Sequence, residues 1–421
     1  MARIGIRKTA LSLAVAGAFA GGVSQAHASA FALIEQSASG LGNSYAGAAA
    51  TAEDASIIFY NPAGMSLLPG GMQVSAGLAL INLSVKFSDS GSAAPGGIGS
   101  LGGNGGNAGD LSAVPNVYFA MDVAPSWKVG VGVSVPFGLK TEYDPTWVGR
   151  FQAIKSDIST LNINPSVAYK LDDKTSFGFG LNYQHIDAEL SKAKVIALNT
   201  ETVATNKGKD NSWGFNVGAM FQPTPDTRLG VSYRSSIKYN VSGTVTVAAL
   251  PALNGDANLD IKMPDTFSIA LNQRLDSKWT LLGDVTRTGW SKIKDLTIVF
   301  SNGQPPDVTA ENFKNTWRVG VGAVYRYDDA WSIKMGAAYD QTPVNDTDRT
   351  PRLPDQNRLW LSFGGQYKLS KDGTLDFGYA HLFIKNATID QNAGSAAANG
   401  QLVGTYKGSV DVLGAQFAYR F

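Results

Sequence analysis

Downstream of about residue 71 the chain alternates apolar and polar positions with period two, the pattern of strands whose two faces meet unlike surroundings. Across 127–138, Trp127, Val129, Val131, Val133, Val135 and Phe137 share one face, and Lys128, Gly130, Gly132, Ser134, Pro136 and Gly138 the other. The pattern repeats at 316–327, where Trp317, Val319, Val321, Ala323, Tyr325 and Tyr327 oppose Thr316, Arg318, Gly320, Gly322 and Arg326. Phe177/Phe179/Leu181/Tyr183, Trp213/Phe215/Val217/Ala219/Phe221 and Trp331/Ile333/Met335/Ala337/Tyr339 are further rows of this kind. Aromatic residues stand at one or both ends of each apolar row. Trp and Tyr favour the membrane–water interface, and transmembrane barrels carry them there as girdles.

The connections alternate in length. Short turn-forming links fall at Pro125-Ser126, Asp172-Asp173-Lys174, Pro223-Thr224-Pro225-Asp226, Asp276-Ser277-Lys278, Asp328-Asp329 and Lys371-Asp372-Gly373. Between them lie longer polar or glycine-rich stretches, among them 89–110, 139–157, 301–312, 342–355 and 390–405. Outer-membrane barrels have short periplasmic turns and longer external loops. Six turns and seven loops predict an all-β, fourteen-stranded antiparallel transmembrane barrel over 71–421, both mature ends periplasmic. The last strand alternates Leu413, Ala415, Phe417, Tyr419 and the terminal Phe421 with Gly414, Gln416, Ala418 and Arg420, as a barrel-assembly recognition signal does. The assembly machinery is thus an expected partner. A soluble β-sandwich is the competing architecture, but its strands hide their apolar face and rarely carry paired aromatic rows.

Residues 1–28 have the three parts of a secretory signal peptide. Arg3, Arg7 and Lys8 make a basic start, Ala10 to Phe19 a short apolar stretch, and Ala26-His27-Ala28 a cleavage site, with Ala28-Ser29-Ala30 as a second frame. Beyond residue 28 no run is apolar for the ~20 residues a spanning helix needs. The chain has no cysteine, which excludes disulfides and thiolate metal sites. Its 35 basic residues, less the three of the signal, leave 32 against 34 acidic ones, a balance that argues against nucleic-acid binding. Charged residues are 16% of the chain, below the roughly one quarter usual in soluble proteins.

Residues 29–70 do not alternate. Small-residue runs (37–42 and 46–50) lead to Glu53-Asp54 and then 59–65, a composition suited to a plug inside the lumen rather than a charged tail. The paired glycines Gly130/Gly132, Gly178/Gly180 and Gly320/Gly322 lie on the inward face, where missing side chains leave room for such a plug. Ser39-Gly40-Leu41-Gly42, Tyr45-Ala46-Gly47, Glu53-Asp54-Ala55 and Asn61-Pro62-Ala63 resemble the N-terminal hatch of the FadL long-chain fatty acid transporter family. The resemblance continues through 138–143, which is similar to the family's segment after the third strand, and through Pro264-Asp265, read as opening the eighth strand. Gly289-Trp290-Ser291 in the ninth and Pro354-Asp355-Gln356-Asn357-Arg358 before Trp360-Leu361-Ser362 complete it. It spans essentially the whole mature chain; the glycine-rich 91–109 departs from it.

The resemblance implies a hatch-closed monomeric barrel that takes up a hydrophobic small molecule passively, without cofactor, metal or catalytic residue. It implies capture among the external loops, transfer to a pocket near the hatch N-terminus, and sideways release at a kinked third strand into a bilayer of lipid and lipopolysaccharide. Pro136, Phe137 and Gly138 then mark a lateral gap, since Pro lacks an N–H and Gly weakens strand pairing. Their alternative is an ordinary strand end. Asn61, Pro62 and Ala63 mark the hatch turn, and Phe31, third in the mature chain, a ligand contact. Arg318 and Arg326, facing opposite their strand's apolar row, are the candidate partners of a carboxylate, and Lys334 has the same facing; lumen charges are also ordinary in barrels. These bases favour a fatty acid over an aromatic or other hydrocarbon. A structural or adhesive barrel and an open porin are the other readings. An enzyme would need a base beside a nucleophile, yet the mature chain's histidines, His185 and His381, fall in lipid-facing rows.

Overall fold

The computed structural model describes residues 30–96, 98–99, 101–392 and 399–421; the signal peptide lies outside the described residues. Fourteen antiparallel staves make one closed sheet. They are β1 (Met72–Asp89), β2 (Leu111–Ala124), β3 (Trp127–Ser134, resuming as Gly138–Glu142), β4 (Lys155–Lys170), β5 (Thr175–Ala197), β6 (Thr200–Thr224) and β7 (Thr227–Arg234, then Ile237–Val247). There follow β8 (Gly255–Met263, then Thr266–Arg274), β9 (Trp279–Thr288, then Asp295–Phe300) and β10 (Asp307–Ala310, then Thr316–Arg326). β11 (Trp331–Asp340), β12 (Arg358–Lys368), β13 (Gly373–Ile384, then Ala387–Gln391) and β14 (Leu402–Arg420) complete the set. β14 pairs with β1 from Arg420↔Gln73 to Gly404↔Asp89, which closes the barrel and leaves it no sheet edge along that seam.

The alternation explains the wall. The apolar rows point outward, with Val321 59% and Phe363 58% exposed on a surface that only lipid can cover. At the short-turn end, rings on neighbouring staves meet in pairs, Trp127–Tyr169 at 4.6 Å, Trp279–Tyr325 at 4.7 Å and Trp331–Tyr367 at 4.6 Å, as an interfacial girdle should.

The connections differ in two ways from the sequence pattern. β5 and β6 are joined only by Leu198-Asn199, because both strands run on past the bilayer as a paired ribbon instead of ending in a loop. Pro264-Asp265 does not open the eighth strand but interrupts it. Pro264 has no N–H to give the ladder, and Asp265 turns its carbonyl to the Gly289 amide at 2.8 Å, across from a second interruption at Trp290–Lys292. Gly138–Glu142 likewise continues the third stave, paired to β4.

Residues 30–71 fold inside the lumen as short turns and helical fragments, including Leu41–Asn43, Ile57–Tyr60 and Pro62–Leu67. The inward glycines make room for them. A Cβ on Gly178 would sit 2.2 Å from the Ala63 nitrogen, and one on Gly336 would sit 2.2 Å from the Asn43 carbonyl. Cross-links of charge add to this fit. Lys334 of β11 is buried and donates to Glu53 at 2.7 Å, Asp376 at 3.0 Å and the Ser39 carbonyl at 2.9 Å.

Candidate functional site

The third stave breaks where Pro136 removes a donor. β2 and β3 pair only as far as Val117↔Val133; beyond that β2 pairs with β1 alone, and Gly138–Glu142 pairs only with β4. The wall therefore parts between β2 and β3, and the N-terminal residues occupy the opening. Leu33 donates its amide to the Pro136 carbonyl at 2.8 Å, and Gly138 donates to the Phe31 carbonyl at 2.8 Å. Gln36 clamps Val135 from both sides, donating Nε2 to its carbonyl at 2.7 Å and accepting its amide on Oε1 at 3.1 Å. Thr160 of β4 does the same for Phe137, at 2.8 and 2.9 Å. The main-chain groups of Val135, Phe137 and Gly138 at the break thus find partners, as buried ones must.

Phe31 is buried at this opening. Its ring meets Trp290 edge-on at 4.8 Å and lies 6.2 Å from Phe137. Asn61-Pro62-Ala63 caps a turn deeper in the lumen: Asn61 accepts the Ala63 amide at 3.1 Å and donates to the carbonyls of Ala49 at 2.8 Å and Ala219 at 3.1 Å. The trio thereby ties the lumen segment to β6.

Behind the opening lies a cavity of about 150 Å³. Leu33, Ile34, Tyr45, Phe59, Tyr60 and Phe137 supply its apolar lining; Pro136 also borders it. Arg318, Arg234 and Asp284 line its polar side together with the hydroxyls of Ser268, Thr286 and Thr288. Arg318 is buried and largely committed. It faces Asp284 at 3.4 Å, donates to the Ser44 carbonyl and lies 5.7 Å over the Trp360 ring.

Arg234 is the cation that the sequence reading overlooked. It donates to the Phe59 carbonyl at 2.8 Å and to Asn182, and stacks 4.4 Å over the Phe59 ring. Among the described residues it has no carboxylate partner. The signal was available, since Arg228, Gly230, Ser232 and Arg234 oppose Leu229, Val231 and Tyr233. Arg326 is not on the cavity wall. It is exposed at the short-turn end of β10 and pairs with Asp329 at 2.5 Å. Parity put it on the face of Arg318, but eight residues of strand separate the two by roughly 26 Å. His185 binds Asp187 and Asn211 at 2.9 Å each, and His381 binds Asp411 at 2.7 Å, both on the outer face.

One more buried group belongs here. Glu35, in the segment that seals the break, is fully buried, and burial pushes its carboxyl up to about 7, with its own backbone amide and the Arg358 and Arg318 charges offsetting part of the rise.

The described geometry matches known proteins along its length. The family model "Outer membrane protein transport protein (OMPP1/FadL/TodX)" matches residues 19–421. Outer membrane protein P1 of Haemophilus influenzae strain Rd is 31% identical, over 89% of this chain and 88% of its own. The long-chain fatty acid transport protein of Escherichia coli K12 is 28% identical, over 91% of this chain and 93% of its own. Among solved structures, a Pseudomonas aeruginosa FadL homologue superposes with a TM-score of 0.86 at 23% identity, covering 93% of this chain and 100% of that one. The Pseudomonas putida toluene transporter TodX superposes at 0.71 and 16% identity, covering 94% of this chain and 100% of that one.

Proposed function

The chain belongs to the OMPP1/FadL/TodX family of outer-membrane transport proteins, and from that premise we infer that its cargo is a long-chain fatty acid, taken up passively. The observation that carries this reading is the pairing of an apolar cavity with Arg234, a half-buried cation on its wall held only by neutral acceptors and a ring. A guanidinium drawn partly out of water without an anion is costly. A carboxylate placed against it restores balance through charge-assisted hydrogen bonds, and the apolar lining takes the tail. A hydrocarbon would leave Arg234 uncompensated. Relatives named as long-chain fatty acid transport proteins support the same cargo.

Residues 29–70 act as the hatch in this reading, Phe31 and Arg318 contact the ligand, and the ligand leaves sideways at Pro136, Phe137 and Gly138. Release into the bilayer suits the cargo, because an apolar chain gains nothing from a water-filled route. The cavity reaches that break through Pro136, Phe137 and Leu33, so the path from pocket to wall is short.

The test is uptake of radiolabelled oleate and of toluene by cells lacking their own hydrophobic-uptake barrel, with the native chain or Arg234→Met. A charged hydrogen bond is worth about 1.5–3 kcal/mol, so oleate affinity should fall roughly 10- to 100-fold while toluene is unaffected. Toluene uptake alone would move the chain to hydrocarbon transport. Uptake of neither would reject transport and favour a structural barrel.

A further inference from the structure

We propose that the outer rim of β13, β14 and β1 is a binding site for the phosphorylated sugar headgroup of lipopolysaccharide. The argument starts from register. On the lipid-facing side of the β1–β14 seam, Leu80 lies opposite Leu413, Asn82 opposite Asp411, Ser84 opposite Ser409 and Lys86 opposite Lys407. The row thus passes from apolar to polar to basic on moving outward. Two lysines directly opposite in an antiparallel pair repel each other across about 5 Å. On the other side of β14, Phe383 of β13 lies opposite Ser409, and Lys385 follows two residues further on, level with Lys407. Three exposed lysines therefore cross three adjacent staves at one height.

No carboxylate among the described residues forms an ion pair with any of the three. The acids on these staves nearest the lysines are already engaged: Asp411 accepts from His381 and from Tyr379, each at 2.7 Å, Asp89 accepts from the Ser92 amide at 3.1 Å and from its hydroxyl, and Asp390 accepts from Gln401 at 2.7 Å. The contrast lies elsewhere on the rim. Lys238 of β7 and Lys262 of β8 also stand opposite one another, but there Asp260 bridges to Lys238 at 3.1 Å. One lysine pair brings its own counter-ion and the other does not.

Height identifies the occupant. Four residues of tilted strand separate Lys86 from Asn82, where the apolar row ends, or roughly 10 Å beyond the hydrocarbon edge. Lysine stems can lean back toward that edge. Phosphate groups of the outer leaflet lie at this level, and their acyl chains would continue down the exposed row of Phe383, Leu413, Leu80 and Leu78. A phosphorylated glycolipid supplies the missing anions and covers that apolar surface together. The site is separate from the cavity and does not depend on which cargo is carried.

The test is lipid retention by the purified full chain, read by native mass spectrometry and by the shift in thermal unfolding on adding bisphosphorylated lipid A. Lys86→Gln/Lys385→Gln/Lys407→Gln should weaken binding at least tenfold, while Lys238→Gln/Lys262→Gln should leave it unchanged. Heat-modifiable gel mobility verifies that each variant is a folded barrel. If the triple variant does not fold, the native chain still decides: it should hold bisphosphorylated lipid A at least tenfold more tightly than the dephosphorylated form. Equal binding of the two forms, equal binding by phosphatidylglycerol, or a folded triple variant that binds as the native chain does would overturn the assignment.

Discussion

Replacing Lys334 by Met should unseat the lumen segment without unfolding the barrel. Lys334 projects from β11, and its ammonium joins Asp376 on β13 to Glu53 and the Ser39 carbonyl on the segment. Its side chain is 2% exposed, that of Asp376 1%, and that of Glu53 31%. Removing one partner of a buried ionic group costs about 3–5 kcal/mol. Glu53 is about one third exposed and partly screened, so the lower end, about 3 kcal/mol, is appropriate. At 1.4 kcal/mol per tenfold the whole of that loss would raise the unseated population by roughly 100-fold, and the part confined to the segment–wall contact by correspondingly less. The segment contains no Lys or Arg, so endoproteinase Glu-C, with Glu35 and Glu53 as sites, is the suitable probe. Faster cleavage at these sites and more frequent openings in planar bilayers are expected, with heat-modifiable mobility retained. Glu53→Gln should produce a smaller effect, and adding it to Lys334→Met should change little. Unaltered cleavage and conductance in Lys334→Met would refute the view that this cluster holds the segment in place.

Three further outcomes follow from the geometry. Glu35 binds a proton more tightly when folded, its carboxyl rising from 4.5 to about 7, so the seated segment is most stable below pH 4.5 and loses about 3 kcal/mol as pH climbs to 7. Hydrogen exchange at 31–37 should accelerate over that window, and Glu35→Gln should flatten the response. Ala32→Cys with Phe137→Cys joins partners of an isolated antiparallel bridge in a chain without other cysteines, so oxidation should arrest oleate uptake and reductant restore it. Gly336→Val places a side chain against the Asn43 backbone, which cannot yield as a side-chain tip can; a loss of at least 1–3 kcal/mol should appear as a lower thermal midpoint and leakier channels.

Much of the fold was legible because a barrel wall has two solvents. Lipid outside and a polar lumen inside impose strict alternation, which is why Trp317 to Tyr325 could be assigned a face from sequence. Of the inward glycines, Gly178 and Gly322 were legible for a related reason, since each faces backbone of the lumen segment, whereas Gly180 faces side chains of the wall. What alternation lacks is position along the strand. Arg318 and Arg326 share parity, yet one borders the cavity and the other caps a turn. Interruptions were also hidden: Pro264-Asp265 carries the same signal whether it starts a strand or splits one, and only the facing Gly289–Lys292 turn distinguishes them. Arg234 was missed because its short row of alternation ends in Ser235-Ser236, where the stave breaks and its phase is reset.

The seam between β1 and β14 constrains how the molecule can be built. Its seventeen register pairs join the first stave to the last and close the sheet that the other thirteen pairings make. The lumen segment already touches both sides of that seam: Gln416 of β14 accepts the Ala38 amide at 3.0 Å and donates to Asp54 at 2.8 Å, while Ser75 of β1 accepts the Ala55 amide at 3.1 Å. The same forty residues thus bear on both staves that the seam joins, so the fit of the segment and the closure of the barrel depend on one another.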